Sequence, residues 1–309
     1  MSENFPQVEY FKALADPTRF RICAVLRDRE LSVNEIVSVF SMGQSRISRH
    51  LKILADCGFI SYRRDGLWSF YTLVRNGEPG ALMNAISYLF ETDECVQDVE
   101  RAEKALRARS EGTVRYFNNV ASSWDRERRE ILGGFDINTK VMQLLGDKKL
   151  IADLGCGSGA FASELAANGH AVIGVDSSPK MISASRDKSA ERGVDLDLRI
   201  GELEHLPLRD GEVDGATVIL TLHHLSNPAQ ALGEIARVVK SGGSLVIVDF
   251  EKHSMEEMRS RYHDLWLGFS RKEMTRWVEE SSFHVDSYTK VKLDIGLSLI
   301  ILCVTKGAQ

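Results

Sequence analysis

Residues 150–159, LIADLGCGSG, constrain this chain more than any other stretch. An apolar run, Leu150, Ile151 and Ala152, ends at an acid, Asp153. Gly155, Gly157 and Gly159 follow on alternate positions, with Cys156 between the first two. From Ala160 to Ala166 the spacing is helical, so the order is strand, tight turn, helix. Glycines admit left-handed backbone angles and let a ligand approach the main chain. The helix start adds unpaired N–H groups and the positive end of the dipole. Such a corner suits an anionic or carboxylate-bearing nucleotide ligand.

Two ligand classes compete for that corner. The dinucleotide fingerprint G-x-G-x-x-G tolerates Ala160 in its last place. Here, however, the third glycine comes one residue early, and an acid stands two residues before the first. E/D-x-G-x-G-x-G resembles motif I of the class I S-adenosylmethionine (SAM) methyltransferases, and the neighbouring residues decide. Ala171 to Val175 is an apolar strand ending at Asp176, 21 positions past Gly155, where a carboxylate can accept both ribose hydroxyls of an adenosine. Ser177 follows, and Ser178-Pro179 opens a helix with Met181 near its start. Further strands are expected over 196–200, 214–220 and 244–249, and two β-runs over about 284–293 and 297–304. Alternating strands and helices give an α/β Rossmann-like domain with a parallel sheet and ligands at the strand ends.

The similarity to class I methyltransferases covers roughly the last 190 residues of the chain. It implies SAM or S-adenosylhomocysteine (SAH) as cofactor, held by Asp153, Gly155, Cys156, Gly157 and Gly159 in the loop and by Asp176, Ser177 and Met181 after the second strand. Gly201-Glu202-Leu203 stands where the family has a G-D-A stretch against the adenine, with Glu202 in place of aspartate. The main chain near Leu220 would line the methionine arm.

Methyl transfer is a separate question, since displacement at the sulfonium needs mainly proximity and alignment, sometimes with a base. An N/D-P-P-Y motif, expected of enzymes acting on nucleobase amines, is absent. Leu222-His223-His224 resembles small-molecule methyltransferases instead, and His223 and His224 are the candidate bases near neutral pH. A packed wall histidine is the alternative role. Residues 251–269 are placed to cover the site, and no metal-ligand cluster stands out among His253, His263 and nearby acids.

At 309 residues the chain has room for a second domain, and its first third has a different pattern. Asp16-Pro17 starts a helix, Leu31 to Phe40 reads as a second, and Ser45 to Ala55 as a third with Ile47, Leu51 and Leu54 inward. Two β-like runs flank Asp65-Gly66, a hairpin signal. Helix, turn, helix and hairpin make a winged helix-turn-helix. From Gln44 to Arg75 there are six basic against two acidic side chains, although the whole chain has a net charge of −5. Ser45, Arg46, Ser48, Arg49 and His50 are expected on the DNA face of the third helix, and Arg63 and Arg64 on the wing, meeting phosphates or base edges.

The stretches KALADPTRFRICAVL, ELSVNEIVSVFSMGQSRISRHLKILADCGFI and YRRDGLWSFYTL resemble the ArsR family of bacterial regulators. The resemblance implies a homodimer on palindromic double-stranded operator DNA, with half-sites about one helical turn apart. Metal-sensing members carry cysteines where this chain has Ser32 and Asn34, so arsenite-type sensing is not expected.

Three segments are therefore expected: a winged helix-turn-helix over 1–78, a helical dimerisation or linker segment over 79–112, and a methyltransferase-like domain over 113–309. Residues 91–109 carry only a thin apolar stripe and read as a partly solvated connecting helix or a coupling rod. Five scattered cysteines without a C-x-x-C pair point to reduced thiols, and the N-terminal residues do not read as a signal peptide, so a cytoplasmic location is expected. Apolar runs fall far short of the roughly 20 residues of a membrane helix, so no membrane partner is expected. Some two-domain proteins of this architecture are SAH-responsive repressors of methionine-cycle genes, and this chain resembles them. The competing reading is an enzyme that methylates a small molecule and carries a regulatory DNA-binding domain.

Overall fold

The computed structural model describes residues 6–308, which form two compact units dividing between Arg109 and Ser110. In the first, α1 (Pro6–Leu14) and α2 (Pro17–Leu26) are separated by Asp16, whose carboxylate accepts the Arg19 N–H at 3.0 Å and caps α2. Leu31–Ser32 forms a short strand, β1, rather than the first turn of a helix. Ser32 and Glu35 make a reciprocal capping box, so α3 begins at Val33 and runs to Phe40. Next come α4 (Gln44–Asp56), β2 (Ile60–Asp65) and β3 (Trp68–Leu73), and the three strands pair in the order β1-β3-β2. Ile22, Leu26, Ile36, Ile47, Leu51 and Leu54 are fully buried and hold α2, α3 and α4 on one core.

Residues 79–109 belong to this first unit. Helix α5 (Gly77–Ala85), a 3-10 turn (Ser87–Phe90) and the start of α6 (Asp93–Val120) bring Met83, Phe90, Cys95 and Ala102 into its core. Val99 and Leu106 of the thin apolar stripe pack against the same core, and three ion pairs reinforce them. Arg21 grips the buried Asp98 through two hydrogen bonds of 2.6 and 2.9 Å, Arg29 meets Glu103 at 2.6 Å, and Arg109 forks onto Glu35. The helix is partly solvated, as its thin stripe implies, and several of its charged residues also find partners distant in the chain.

In the second unit, α7 (Trp124–Leu132) and α8 (Ile137–Leu145) precede β4 (Leu150–Leu154). Then follow α9 (Ala160–Ala167), β5 (Ala171–Asp176), α10 (Pro179–Arg192), β6 (Asp197–Ile200), β7 (Val213–Ile219), α11 (Pro228–Val238) and β8 (Val239–Phe250). After them come α12 (Glu257–Tyr262), α13 (Arg271–Glu280), β9 (Phe283–Lys292) and β10 (Ser298–Lys306). The seven strands lie in the order β6-β5-β4-β7-β8-β10-β9, with β10 antiparallel to both neighbours and the first five strands of that order parallel. Strand β8 begins at Val239, which pairs with Val213, ahead of the start expected at residue 244.

Chain order reverses at β4, with β5 and β6 on one side and β7 and β8 on the other. A crevice opens at the carboxyl ends of strands flanking such a switch point. Among the described residues, no helix is long and apolar enough to cross a membrane.

Candidate functional site

The glycine loop sits in that crevice. The N–H groups of Gly155 and Cys156 both donate to the Val175 carbonyl, at 2.8 and 3.0 Å, tying the loop to the end of β5. Gly155 has φ +75°, and a Cβ there would stand 2.4 Å from the Thr221 side chain. Gly159, at φ +73°, would place one 2.0 Å from Ser185 Oγ. Glycine is needed at these positions both for backbone angle and because β7's loop and α10 press against it.

Two carboxyl groups face the loop. Asp176 accepts the Gly157 N–H at 2.9 Å through one oxygen and the Ser178 N–H at 2.8 Å through the other. Enclosure raises its pKa to about 6, against the two N–H groups that favour the ion. Asp153, buried at the end of β4, accepts the Thr217 hydroxyl at 2.8 Å. Burial raises it too, to about 6, with Thr217 and Arg128 opposing. Arg128 on α7 lines the same space, and burial pulls its pKa down against the pull of Asp153 and Asp125. The sequence gives no sign of Arg128, which lies in a polar stretch, WDRERRE, without a motif around it.

About 1020 Å³ of space, part of it open to solvent, lies in the cleft. Asp153, Gly155, Cys156, Gly157, Asp176, Ser177, Met181, Glu202, Leu203 and Leu220 all line it. Leu220 has φ +51°, a left-handed angle at the end of β7. Two expected residues stand behind the wall. Gly159 caps α9, and Gly201 donates its N–H to the Asp176 carbonyl at 3.1 Å. Phe117 from α6 and Trp124 from α7 close one side, ring edge to ring face at 5.2 Å, and Ser110 and Thr113 also line the cleft.

The two histidines separate. His224 lines the cleft and packs edge-on against Phe117 at 4.8 Å. Burial and the neighbouring His223 push its pKa well down, so it is neutral. His223 does not line the cleft. It is buried behind the wall with Nδ1 2.6 Å from Asp249 Oδ1; burial opposes its charge, but Asp249 and Asp264 outweigh that and raise its pKa. Asp264, from the loop after α12, lies beside both rings, so the fold assembles a His/His/Asp group that linear spacing did not reveal.

On the first unit, Ser45, Arg46, Ser48 and Arg49 are exposed on one face of α4, and Arg64 is exposed on the wing. Two expected contacts are otherwise engaged. His50 turns inward, 8% exposed and 3.8 Å from Asp16, because it follows Ile47 by three residues and shares its buried face. Arg63 forks onto Glu30 at 2.9 and 2.7 Å and covers the Phe70 ring at 4.4 Å, bracing the root of the wing.

Residues 16–62 match the family described as "Bacterial regulatory protein, arsR family", and residues 152–247 match "Methyltransferase domain". The chain carries an ArsR-family helix-turn-helix domain and a class I methyltransferase domain. A demethylmenaquinone methyltransferase of Corynebacterium kroppenstedtii is 31% identical over 153 residues, 48% of this chain and 64% of that enzyme. The match thus spans less than two thirds of that relative. A SAM-dependent methyltransferase from Methanosarcina mazei superposes with TM-score 0.50 at 22% identity, over 57% of this chain and 100% of that one. A [4+2]-cyclase superposes with TM-score 0.51 at 19% identity, over 56% of this chain and 80% of that one. At these identities the likeness shows the fold alone. The methyltransferase-domain match over residues 152–247 implies SAM binding.

Proposed function

We propose that this protein is a DNA-binding transcriptional regulator whose methyltransferase-type domain binds SAM or SAH as effector. The observation that carries the reading is the pairing, in one chain, of an exposed basic face on α4 with an enclosed nucleotide-type cleft at the sheet's switch point. On α4, Arg46 and Arg49 supply phosphate or base contacts, Ser45 and Ser48 shorter ones, and Arg64 reaches from the wing. The ArsR-family domain supports a homodimer, and with it a palindromic operator.

The cleft residues fit an adenosine with a methionine arm. Each Asp176 oxygen accepts one backbone N–H and retains capacity for a ribose hydroxyl. Leu203 and Met181 offer apolar surface to the adenine. Asp153 and Arg128 both line the cleft, and in this reading Asp153 meets the ammonium of the methionine arm and Arg128 its carboxylate. Ligand binding alters DNA affinity only if the DNA-competent and incompetent states bind it differently. The test is a pair of substitutions. Arg49→Ala should weaken operator binding and leave SAH binding intact, and Arg128→Ala should weaken SAH binding and leave basal operator binding intact. Loss of both functions in either variant would contradict the division of labour.

A second reading is favoured by the position of His224 at the cleft wall and by the methyltransferase to which the chain is similar. Here the domain also transfers a methyl group to a small acceptor, with His224 as base. Turnover of SAM against a panel of phenolic and quinol-type acceptors, lost in His224→Phe, would support it. Absence of turnover across the panel would leave the regulator.

A further inference from the structure

We propose that His223, His224 and Asp264 form a binding site for a divalent transition-metal ion of the zinc class. All three residues are buried, and one ligating atom from each lies within 4.8 Å of the others. His223 Nε2 is 3.7 Å and His224 Nδ1 3.9 Å from the same Asp264 oxygen. Around a tetrahedral ion with bonds of about 2.0–2.1 Å, ligand atoms stand about 3.4 Å apart, so each histidine nitrogen has only a few tenths of an ångström to close toward Asp264, and the two rings draw together from within 4.8 Å.

The hydrogen bonding around the rings points the same way. Asp249 accepts from His223 Nδ1 at 2.6 Å, fixing the ring so that Nε2 faces Asp264. A carboxylate behind a ligating histidine is the usual second layer of a metal centre. His224 is held by the backbone of His263 on one side, and its Nδ1 has no hydrogen-bond partner among the described residues. That atom is a buried lone pair aimed at the group, a costly arrangement unless a cation or proton fills it.

The scaffold is fixed before any ion arrives. The N–H groups of Leu265 and Trp266 both donate to the His223 carbonyl, at 2.9 and 3.0 Å, so the loop carrying Asp264 is already docked on the turn carrying both histidines. Two imidazoles and one carboxylate are a borderline donor set, which suits zinc or cobalt over calcium or magnesium. Complete burial of the donors favours a low coordination number. An ion here would staple residues 251–269 to the end of β7, directly behind the His224 wall of the cleft. The site stands apart from the regulator reading, which neither needs it nor fails with it, whereas an ion on His224 Nδ1 would exclude that ring as the base of the second reading.

The experiment uses the full-length protein, treated with a chelator and titrated with Co²⁺, with metal content of the untreated protein measured alongside. The expected result is about one Co²⁺ per chain with the intense visible d–d absorption of a tetrahedral site, displaced by Zn²⁺. Asp264→Asn and His224→Gln should each weaken uptake at least tenfold, and Asp249→Asn by about 10–100-fold. Should a variant misfold, Zn²⁺ should still raise the melting temperature of the wild type. No cobalt uptake by the chelated wild type, or uptake with a six-coordinate spectrum unchanged in Asp264→Asn, would overturn the proposal and leave a proton shared among the three side chains.

Discussion

Ligand affinity in the cleft should depend on pH through Asp176. Its pKa is raised to about 6 by enclosure, and accepting both ribose hydroxyls favours its ionised form. With a pKa of about 6, roughly 10/11 of the carboxyl groups are ionised at pH 7 and roughly 1/11 at pH 5. One required carboxylate therefore weakens SAH binding about tenfold between those values. Asp153 is raised to the same value and meets the ammonium of the ligand, so the wild-type fall lies between about tenfold and 100-fold. Asp176→Asn removes one of the two titrations, and its fall should be smaller by about tenfold. The substitution also leaves either the Gly157 or the Ser178 N–H facing an amide N–H₂, a further cost of about 1–3 kcal/mol at any pH. Isothermal titration calorimetry with SAH from pH 5 to 8 reads all of this, with circular dichroism as the control for folding. An identical pH dependence in wild type and Asp176→Asn would refute the ribose assignment.

Asp153→Asn should stabilise the unliganded protein at pH 7.5. The native carboxyl has a pKa of about 6 against an ordinary 3.8, so the unfolded chain ionises first. The cost of the native ion grows between about pH 4 and 6, reaching up to about 3 kcal/mol above that, and Thr217 can still donate to an asparagine oxygen. The variant should melt higher at pH 7.5 and like the wild type near pH 4; a lower melting temperature at pH 7.5 would contradict the burial argument. Arg49→Ala should reduce operator affinity and lower the salt slope by about one, read by fluorescence anisotropy at several salt concentrations. Arg63→Ala should instead destabilise the first unit by about 1–3 kcal/mol in urea unfolding through loss of the Glu30 fork. A DNA-binding loss as large as that of Arg49→Ala without a stability change would reverse that assignment. Asp98→Ala should destabilise the same unit, since it strands Arg21 and Arg101 beside a buried position; unchanged urea unfolding would show that these ion pairs contribute nothing.

Local features were legible in the sequence. Alternating glycines after an apolar run located the loop, Asp176 was found by its distance from Gly155, and Ile47, Leu51 and Leu54 gave the inward face of α4. The errors came where a side chain's surroundings are set by residues far away in the chain. His50 and Arg63 looked like surface bases, but Asp16 and Glu30 with Phe70 draw them in. His223 and His224 are adjacent in sequence, and only the bend after β7 sends one to the cleft and the other to Asp249. Arg128 and Asp264 carry no local motif, so their placement could come only from the fold.

The most direct measurement is the affinity of the full-length protein for an operator duplex, selected from random sequence, with no ligand, with saturating SAH and with saturating SAM. The expected result is a shift of about fivefold or more with at least one of them, the lower end of ordinary allosteric coupling. Equal operator affinity under all three conditions, with binding of both ligands verified by calorimetry, would contradict the effector reading and leave the methyltransferase domain as an enzyme that happens to share a chain with a DNA-binding domain.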